Sequence, residues 1–354
     1  MKILYGVQGT GNGHISRANA ISEVLRQYPD VEVDWLVSGR EANDLFQVQG
    51  NRLYRRGLTF ASKDGCVSYL KTVTSNNIFR LGRDITTLDL DNYDCLVTDY
   101  EPVLSWAAKY RRKPTIGIGH QYAFNYQIPL CGDNLLNRTL LRKFAPADVG
   151  LGLHWHHFDQ PILPPISDVP DWQPDSQLEH KVVVYLPFED QSAVLTQLAP
   201  LTNYEFYVYS PDLQDADLGH IQTRGLSRQG FKNDLVTAGA VITNSGFELI
   251  SECLTMGTRI LTKPLQQQVE QLSNAAALSQ LGYAEVVPVI TTEVCRNWLN
   301  CKERVLVTYP RVHDHIAHWL ATGQQQNIAC LSEQLWREVN VVRGDNQPQL
   351  SLVG

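Results

Sequence analysis

The sequence predicts an α/β fold made of two halves, each a mostly parallel sheet flanked by helices. Three observations carry that expectation. Short apolar runs rich in Val and Ile alternate with stretches of helical period, the pattern of successive βα units. The strands end in small or polar residues, as in Gly9-Thr10-Gly11-Asn12-Gly13-His14 and Asn244-Ser245-Gly246. Between the two series, residues 158–175 carry Pro161, Pro164, Pro165, Pro170 and Pro174, a composition shift that marks a linker.

Bulk properties agree. A chain of 354 residues has room for two domains with cores of their own, and 43% hydrophobic against 19% charged residues describes a folded chain. A net charge of −7 argues against nucleic acid as partner. No apolar run is long enough to span a bilayer, and the first residues enter a strand without a signal-peptide pattern, so a cytoplasmic location is expected. The seven cysteines are scattered, odd in number and never in CxxC spacing, which reads as reduced thiols and not as a zinc site or disulfide frame.

In chain order, residues 2–7 read as a buried strand, followed by the Gly-rich loop and a helix over 16–27 with Ala18, Ile21, Val24 and Leu25 on its apolar face. A second strand follows over 31–37, which makes this a Rossmann-like opening. The glycines fall at 9, 11 and 13, a GxGxG spacing, and Ser38-Gly39-Arg40 stands where a dinucleotide fold carries an acidic residue. Both features argue against a nicotinamide cofactor. His14 closes the loop; an imidazole at a cleft mouth can serve as general base or can fasten the loop. The basic stretch Arg52, Arg55, Arg56 and Lys63 reads as solvated surface, ahead of the alternative that it meets an anionic acceptor. Strands are expected over 92–98, 114–119 and 148–157, with a helix over 103–110 begun by Pro102. Asp99 and His120 then lie at carboxyl ends of parallel strands, where open α/β sheets bind ligands, although Asp99 is equally placed to cap the next helix. His154, His156 and His157 have no acidic partner at ligand spacing, so no metal is expected there.

The second half repeats the pattern, with strands over 181–186, 204–209, 240–243, 259–262 and 285–289. Helices are expected over 191–198, just after 230–234, over 247–256 and from about 268, then over 293–300, 312–321 and 327–340. Ser245-x-x-Glu248 reads as a capping box, and the free N–H groups and dipole of the helix that follows favour phosphate. Glu252, one turn on, can accept both hydroxyls of a ribose. Gln266, Gln267, Gln268, Glu270, Gln271 and Asn274 form a dense, weakly charged set of hydrogen-bonding groups that suits a sugar. Phosphate, ribose and sugar together suggest a nucleotide-sugar.

These motifs resemble those of the GT-B glycosyltransferases, two Rossmann-like domains facing across a cleft. The likeness is closest to the lipid-intermediate N-acetylglucosaminyl transferases of peptidoglycan synthesis and their prokaryotic relatives. It rests on the loop 9–14, on YDCLVTDYEP at 93–102 with Gly119-His120-Gln121, and on Thr243–Glu252 with Pro264–Asn274, and covers most of residues 1–285. The resemblance implies an acceptor-binding domain over 1–160, a nucleotide-sugar-binding domain over 176–322, and a C-terminal helix and tail over 323–354 packed back on the first domain. It implies transfer of a hexosyl or N-acetylhexosaminyl group from a UDP-sugar to a hydroxyl acceptor, with inversion and without metal or other cofactor. The acceptor it suggests is a lipid-linked or cell-envelope glycan precursor, met in the cytoplasm or peripherally at the inner membrane face. By position, His14 becomes the catalytic base. Gly11, Gly13, Asn244, Ser245, Gly246 and Phe247 hold the donor around its diphosphate, Glu252 its ribose, and Glu270 and Gln271 its sugar. Asp99 and His120 fall on the acceptor side. One departure, Glu270-Gln271 where the transferase has paired glutamines, leaves the donor sugar open. Two other readings use the same fold: a hydrolysing UDP-sugar 2-epimerase, and a non-catalytic sugar-nucleotide-binding protein.

Overall fold

The computed structural model describes residues 1–10, 12–39, 48–58, 62–63, 66–67, 78–132, 135–167, 169, 172–173 and 176–344. In the first half, β1 (Lys2–Gln8), α1 (Asn12–Leu25), β2 (Glu32–Ser38) and β3 (Arg52–Arg55) are followed by α2 (Ile78–Thr87), β4 (Cys95–Asp99) and α3 (Pro102–Arg111). Then come β5 (Ile116–Gly119), a 3₁₀ turn (His120–Asn125), α4 (Leu135–Phe144) and β6 (Val149–Gly152). The six strands lie in the order β3-β2-β1-β4-β5-β6, all parallel. β1 is buried along nearly its whole length because helices cover both faces of the sheet, which is why its sequence is a continuous apolar run.

In the second half, β7 (Leu178–Tyr185), α5 (Gln191–Leu198), β8 (Glu205–Tyr209), β9 (Ala216–Asp217) and β10 (Ile221–Arg224) precede α6 (Arg228–Val236) and β11 (Ala238–Asn244). They are followed by α7 (Phe247–Met256), β12 (Arg259–Lys263), α8 (Val269–Leu281) and β13 (Glu285–Val286). The strand order is β9-β10-β8-β7-β11-β12-β13, and only β9 is antiparallel. Setting that short strand aside, both sheets reverse direction of growth at the same place, beside their first strand. This is the doubly wound order of nucleotide-binding folds.

The chain then adds α9 (Thr292–Asn300), β14 (Arg304–Thr308), α10 (Val312–Ala321), α11 (Ile328–Arg337) and β15 (Asn340–Gly344). α10 returns to the first half and packs on α1, where the Tyr28 hydroxyl lies 3.2 Å from His318 Nδ1. From α11, Ser332 and Trp336 both donate to the Ile162 carbonyl. One apolar core runs through both halves, from Tyr5 and Val97 through Trp155 to Phe247, Ile250 and Trp319.

The expected helix over 327–340 ends at Arg337, and Asn340–Gly344 pairs antiparallel with β14. β15 is exposed throughout, so no buried alternation marks it in the sequence. The expected strand over 148–157 stops at Gly152. Beyond it His154, His156 and His157 each accept at Nδ1 from a backbone N–H, of Trp155, Phe158 and Asp159 respectively. Among the described residues no helix is long and apolar enough to cross a membrane.

Candidate functional site

The two reversal points set the site. Between β1 and β4 the strand ends deliver the start of α1 and Asp99; between β7 and β11 they deliver Glu189 and the turn Asn244-Ser245-Gly246 before α7. Helices leaving these points have their N-termini at the carboxyl edge of each sheet. Here the starts of α1 and α7 approach so closely that a Cβ on Gly13 would lie 2.1 Å from Glu248 Cγ. The missing side chain of Gly13 is what allows this approach. Gly11 and Arg40 lie outside the described residues.

On the first-half side, His14 Nδ1 is 2.7 Å from Asp99 Oδ1. Arg17, one turn along α1, donates through Nε to Asp99 Oδ2 and through Nη2 to Oδ1, both at 2.7 Å. Asp99 is fully buried. Burial alone would raise its carboxyl, but the Arg17 guanidinium and the His14 ring outweigh it and hold the group below the usual carboxylate range. Asp99 is thus an anion, and His14 Nδ1 carries the proton of that bond, leaving Nε2 for another partner. The alternative of Asp99 as helix cap is excluded. Glu101 caps α3, accepting from Val103 N at 2.8 Å and Leu104 N at 2.7 Å.

On the second-half side, α7 spans residues 247–256 as the sequence predicts, but its cap differs. The N-cap is Gly246, without a side-chain bond, and Ser245 Oγ instead pairs with Thr262 Oγ1 at 2.9 Å on the neighbouring strand. Glu248 becomes the second helical residue and is ion-paired with Arg17 of the first half. The capping box is not formed, because a shift of one residue takes its two members out of register. Open space surrounds the position of a Cβ on Gly246. The Phe247 side chain is buried, stacked on His120 with ring centroids 3.9 Å apart and 5.0 Å from Trp155. Asn244 donates to the Lys263 carbonyl at 3.0 Å, and its buried Oδ1 has no partner among the described residues.

The remaining predicted residues divide. Glu252 is ion-paired with Lys232 of α6; burial raises its carboxyl and the Lys232 ammonium opposes the rise. Glu270 faces the first half and accepts from Gln121 Nε2 at 3.3 Å. Gln271, expected at the sugar, is nearly buried and its Oε1 accepts from Leu265 N at 3.0 Å, so it shapes the turn before α8. His120, expected on the acceptor side, meets Asn274 of the second half. It is buried, with Nδ1 donating to the Leu153 carbonyl at 2.9 Å and Nε2 2.7 Å from Asn274 Oδ1, and so ties the two halves beneath the cleft. Burial lowers its pKa, with Glu270 opposing. Arg17, Glu248 and Gln121 were not read as functional in the sequence. Arg17 stands three residues after His14, the spacing that puts two side chains on one helix face, and this is the signal that finds it.

A sequence model of glycosyl transferase family 1 matches residues 1–300. No curated protein matches the sequence. Among solved structures, the glycotransferase of kitacinnamycin superposes with TM-score 0.60 at 13% identity, covering 96% of this chain and 99% of its own. The glycosyltransferase SsfS6 of Streptomyces sp. SF2575, complexed with thymidine diphosphate, gives TM-score 0.55 at 13% identity, covering 95% and 99%. VinC in complex with dTDP gives 0.51 at 11% identity, covering 95% and 99%. These likenesses are likenesses of fold, and that fold is GT-B. With the family's match extending over both sheets, the chain belongs to glycosyl transferase family 1.

Proposed function

We propose that the protein transfers a sugar from a nucleoside-diphosphate sugar to an acceptor hydroxyl in a single, inverting displacement. The observation that carries the reading is the His14–Asp99 pair, held on the helix whose start packs against the start of α7, an N-terminus with no side-chain cap. In this reading Nε2 of His14 takes the acceptor's hydroxyl proton as the oxygen attacks the anomeric carbon. The bond from that carbon to the diphosphate oxygen breaks, and the nucleoside diphosphate leaves with the electron pair. Asp99 holds the imidazole in its Nδ1–H form and faces the positive charge that develops on it. The N–H groups at the start of α7 meet the charge growing on the leaving diphosphate, as fixed donors that need no reorganisation.

Glu252 is the residue for the ribose hydroxyls, and Glu270 with Gln121 the pair for the donor sugar. The SsfS6 and VinC complexes hold thymidine diphosphate, so thymidine and uridine nucleotides are both candidates. A lipid-linked or cell-envelope glycan precursor stays the acceptor suggested by the sequence resemblance. A thermal-shift screen over UDP, TDP and their sugars tests the donor, followed by transfer assays with wild-type and His14→Ala protein. Stabilisation by a nucleotide-sugar in both proteins, with transfer only in the wild type, is the expected result. The reading fails if no nucleotide of either base binds, or if His14→Ala transfers at the wild-type rate.

A further inference from the structure

Arg17 is a fully buried arginine that holds the base's partner with two of its nitrogens and a donor-side carboxylate with the third. Nε and Nη2 are committed to Asp99, which is itself fully buried. Nη1 is paired with Glu248, whose side chain is 28% exposed. Glu248 is the second residue of α7, and its aliphatic stem lies against Gly13 in the space a Cβ there would take. Around it the start of α7 lacks a side-chain cap, Gly246 opens to free space, and the Asn244 Oδ1 is buried without a partner among the described residues. The second residue of this uncapped helix is thus a carboxylate tethered to a guanidinium of the opposite half.

We propose that Glu248 stands where the donor's diphosphate binds, and that a nucleoside diphosphate displaces it from Arg17. Arg17 then serves the diphosphate through Nη1 while keeping Asp99 in place through Nε and Nη2. This rests on the nucleotide-sugar reading above and adds to it a cation from the acceptor half. Charge makes the exchange necessary. A diphosphate brings at least two negative charges to the start of α7, and a carboxylate left beside it would repel it. Geometry makes the exchange available, because Glu248 has a path to solvent and Asp99 has none.

The test is calorimetric titration of the full chain with UDP and TDP, and with uridine and thymidine as probes that lack phosphate. Glu248→Gln is expected to tighten the diphosphates about tenfold and leave the nucleosides unchanged. Arg17→Lys is expected to weaken the diphosphates by a similar factor. A general loss of negative charge would help equally with or without Arg17, whereas displacement requires the gain from Glu248→Gln to shrink in the Arg17→Lys background. Glu248→Gln is nearly isosteric at a partly exposed site, so it remains decisive if the buried Arg17→Lys variant fails to fold. Diphosphate affinity unchanged or weakened in Glu248→Gln overturns the inference. Wild-type protein that binds no nucleotide at all overturns the donor reading beneath it.

Discussion

Replacing Asp99 by Asn tests the centre of the site most directly. The carboxylate accepts three bonds of 2.7 Å, from His14 and Arg17 Nη2 on Oδ1 and from Arg17 Nε on Oδ2. An Asn of the same shape must turn its NH₂ either toward Arg17 Nε or toward the His14 and Nη2 pair. In both orientations N–H faces N–H, so one charge-assisted bond at Oδ2 or two at Oδ1 are replaced by repulsion. Arg17 keeps only Glu248 as a counter-charge, and breaking a buried ion pair from one side costs about 3–5 kcal/mol. Catalytically, the imidazole loses the anion that fixes its Nδ1–H form, and a positioned general base contributes roughly 10²–10⁴ in rate. Urea unfolding and the transfer rate at saturating donor measure the two losses separately.

The pH dependence supplies an internal control. The Asp99 carboxyl is held low when folded, burial being outweighed by Arg17 and His14, so its stabilisation is present above the ordinary carboxylate range. It is lost as pH falls through the lower folded value, so the stability gap between wild type and Asp99→Asn narrows only below about pH 4. A variant that unfolds like wild type and transfers at the wild-type rate would refute the assignment of Asp99 as the anion of a His14 dyad.

His14→Ala, at a side chain 13% exposed, is expected to bind nucleotide like wild type and to lose transfer, read by calorimetry beside the rate assay. Glu101 is raised from 4.5 to about 7 by burial, against the Ser38 hydroxyl and the Leu104 and Val103 N–H groups. Its stabilisation is full below pH ~4.5 and falls by about 3 kcal/mol as pH rises to 7; Glu101→Gln should flatten that slope in urea titrations. In Gly117→Ala the new Cβ would lie 2.3 Å from Tyr122 Cζ, whose hydroxyl is fixed on the Ala145 carbonyl, so a loss of about 1–3 kcal/mol in unfolding free energy is expected. Trp155→Phe removes the 2.9 Å bond to Ser251 Oγ that crosses between the halves and should cost about 1–2 kcal/mol by the same measurement.

The α/β class and the order of most elements could be read from the sequence because buried parallel strands leave continuous apolar runs and their helices leave a clear period. β1 and α7 are of this kind. Exposed or two-sided elements left no such trace, as with β15, and as with α2, whose Phe79 is 93% exposed. At the site, His14 and Asp99 were legible as strand-end residues, but not as partners. They are 85 residues apart, and their bond depends on β1 and β4 lying side by side. The Ser245–Glu248 motif misled for a physical reason. Local spacing makes it a capping box, but Thr262 on the adjacent strand offers the Ser245 hydroxyl a buried partner, and Arg17 offers Glu248 an opposite charge. Both competitors come from distant sequence, and a window of four residues contains neither.

The contacts between the halves fall into two chemical kinds, and the difference bears on how a ligand can enter. Beneath the cleft, Phe247 stacks on His120 and packs near Trp155, and His120 and Trp155 use their nitrogens on buried partners. Breaking these would expose aromatic surface and strand buried polar groups, which is costly. Nearer the partly exposed rim, Arg17–Glu248 and Gln121–Glu270 are bonds to carboxylates that can be remade to phosphate oxygens or sugar hydroxyls. A bound donor that takes over the rim bonds gives each group a new partner while the aromatic floor stays closed. In the proposed reading, selectivity between donors follows from how well each replaces Glu248 on Arg17 and Gln121 on Glu270.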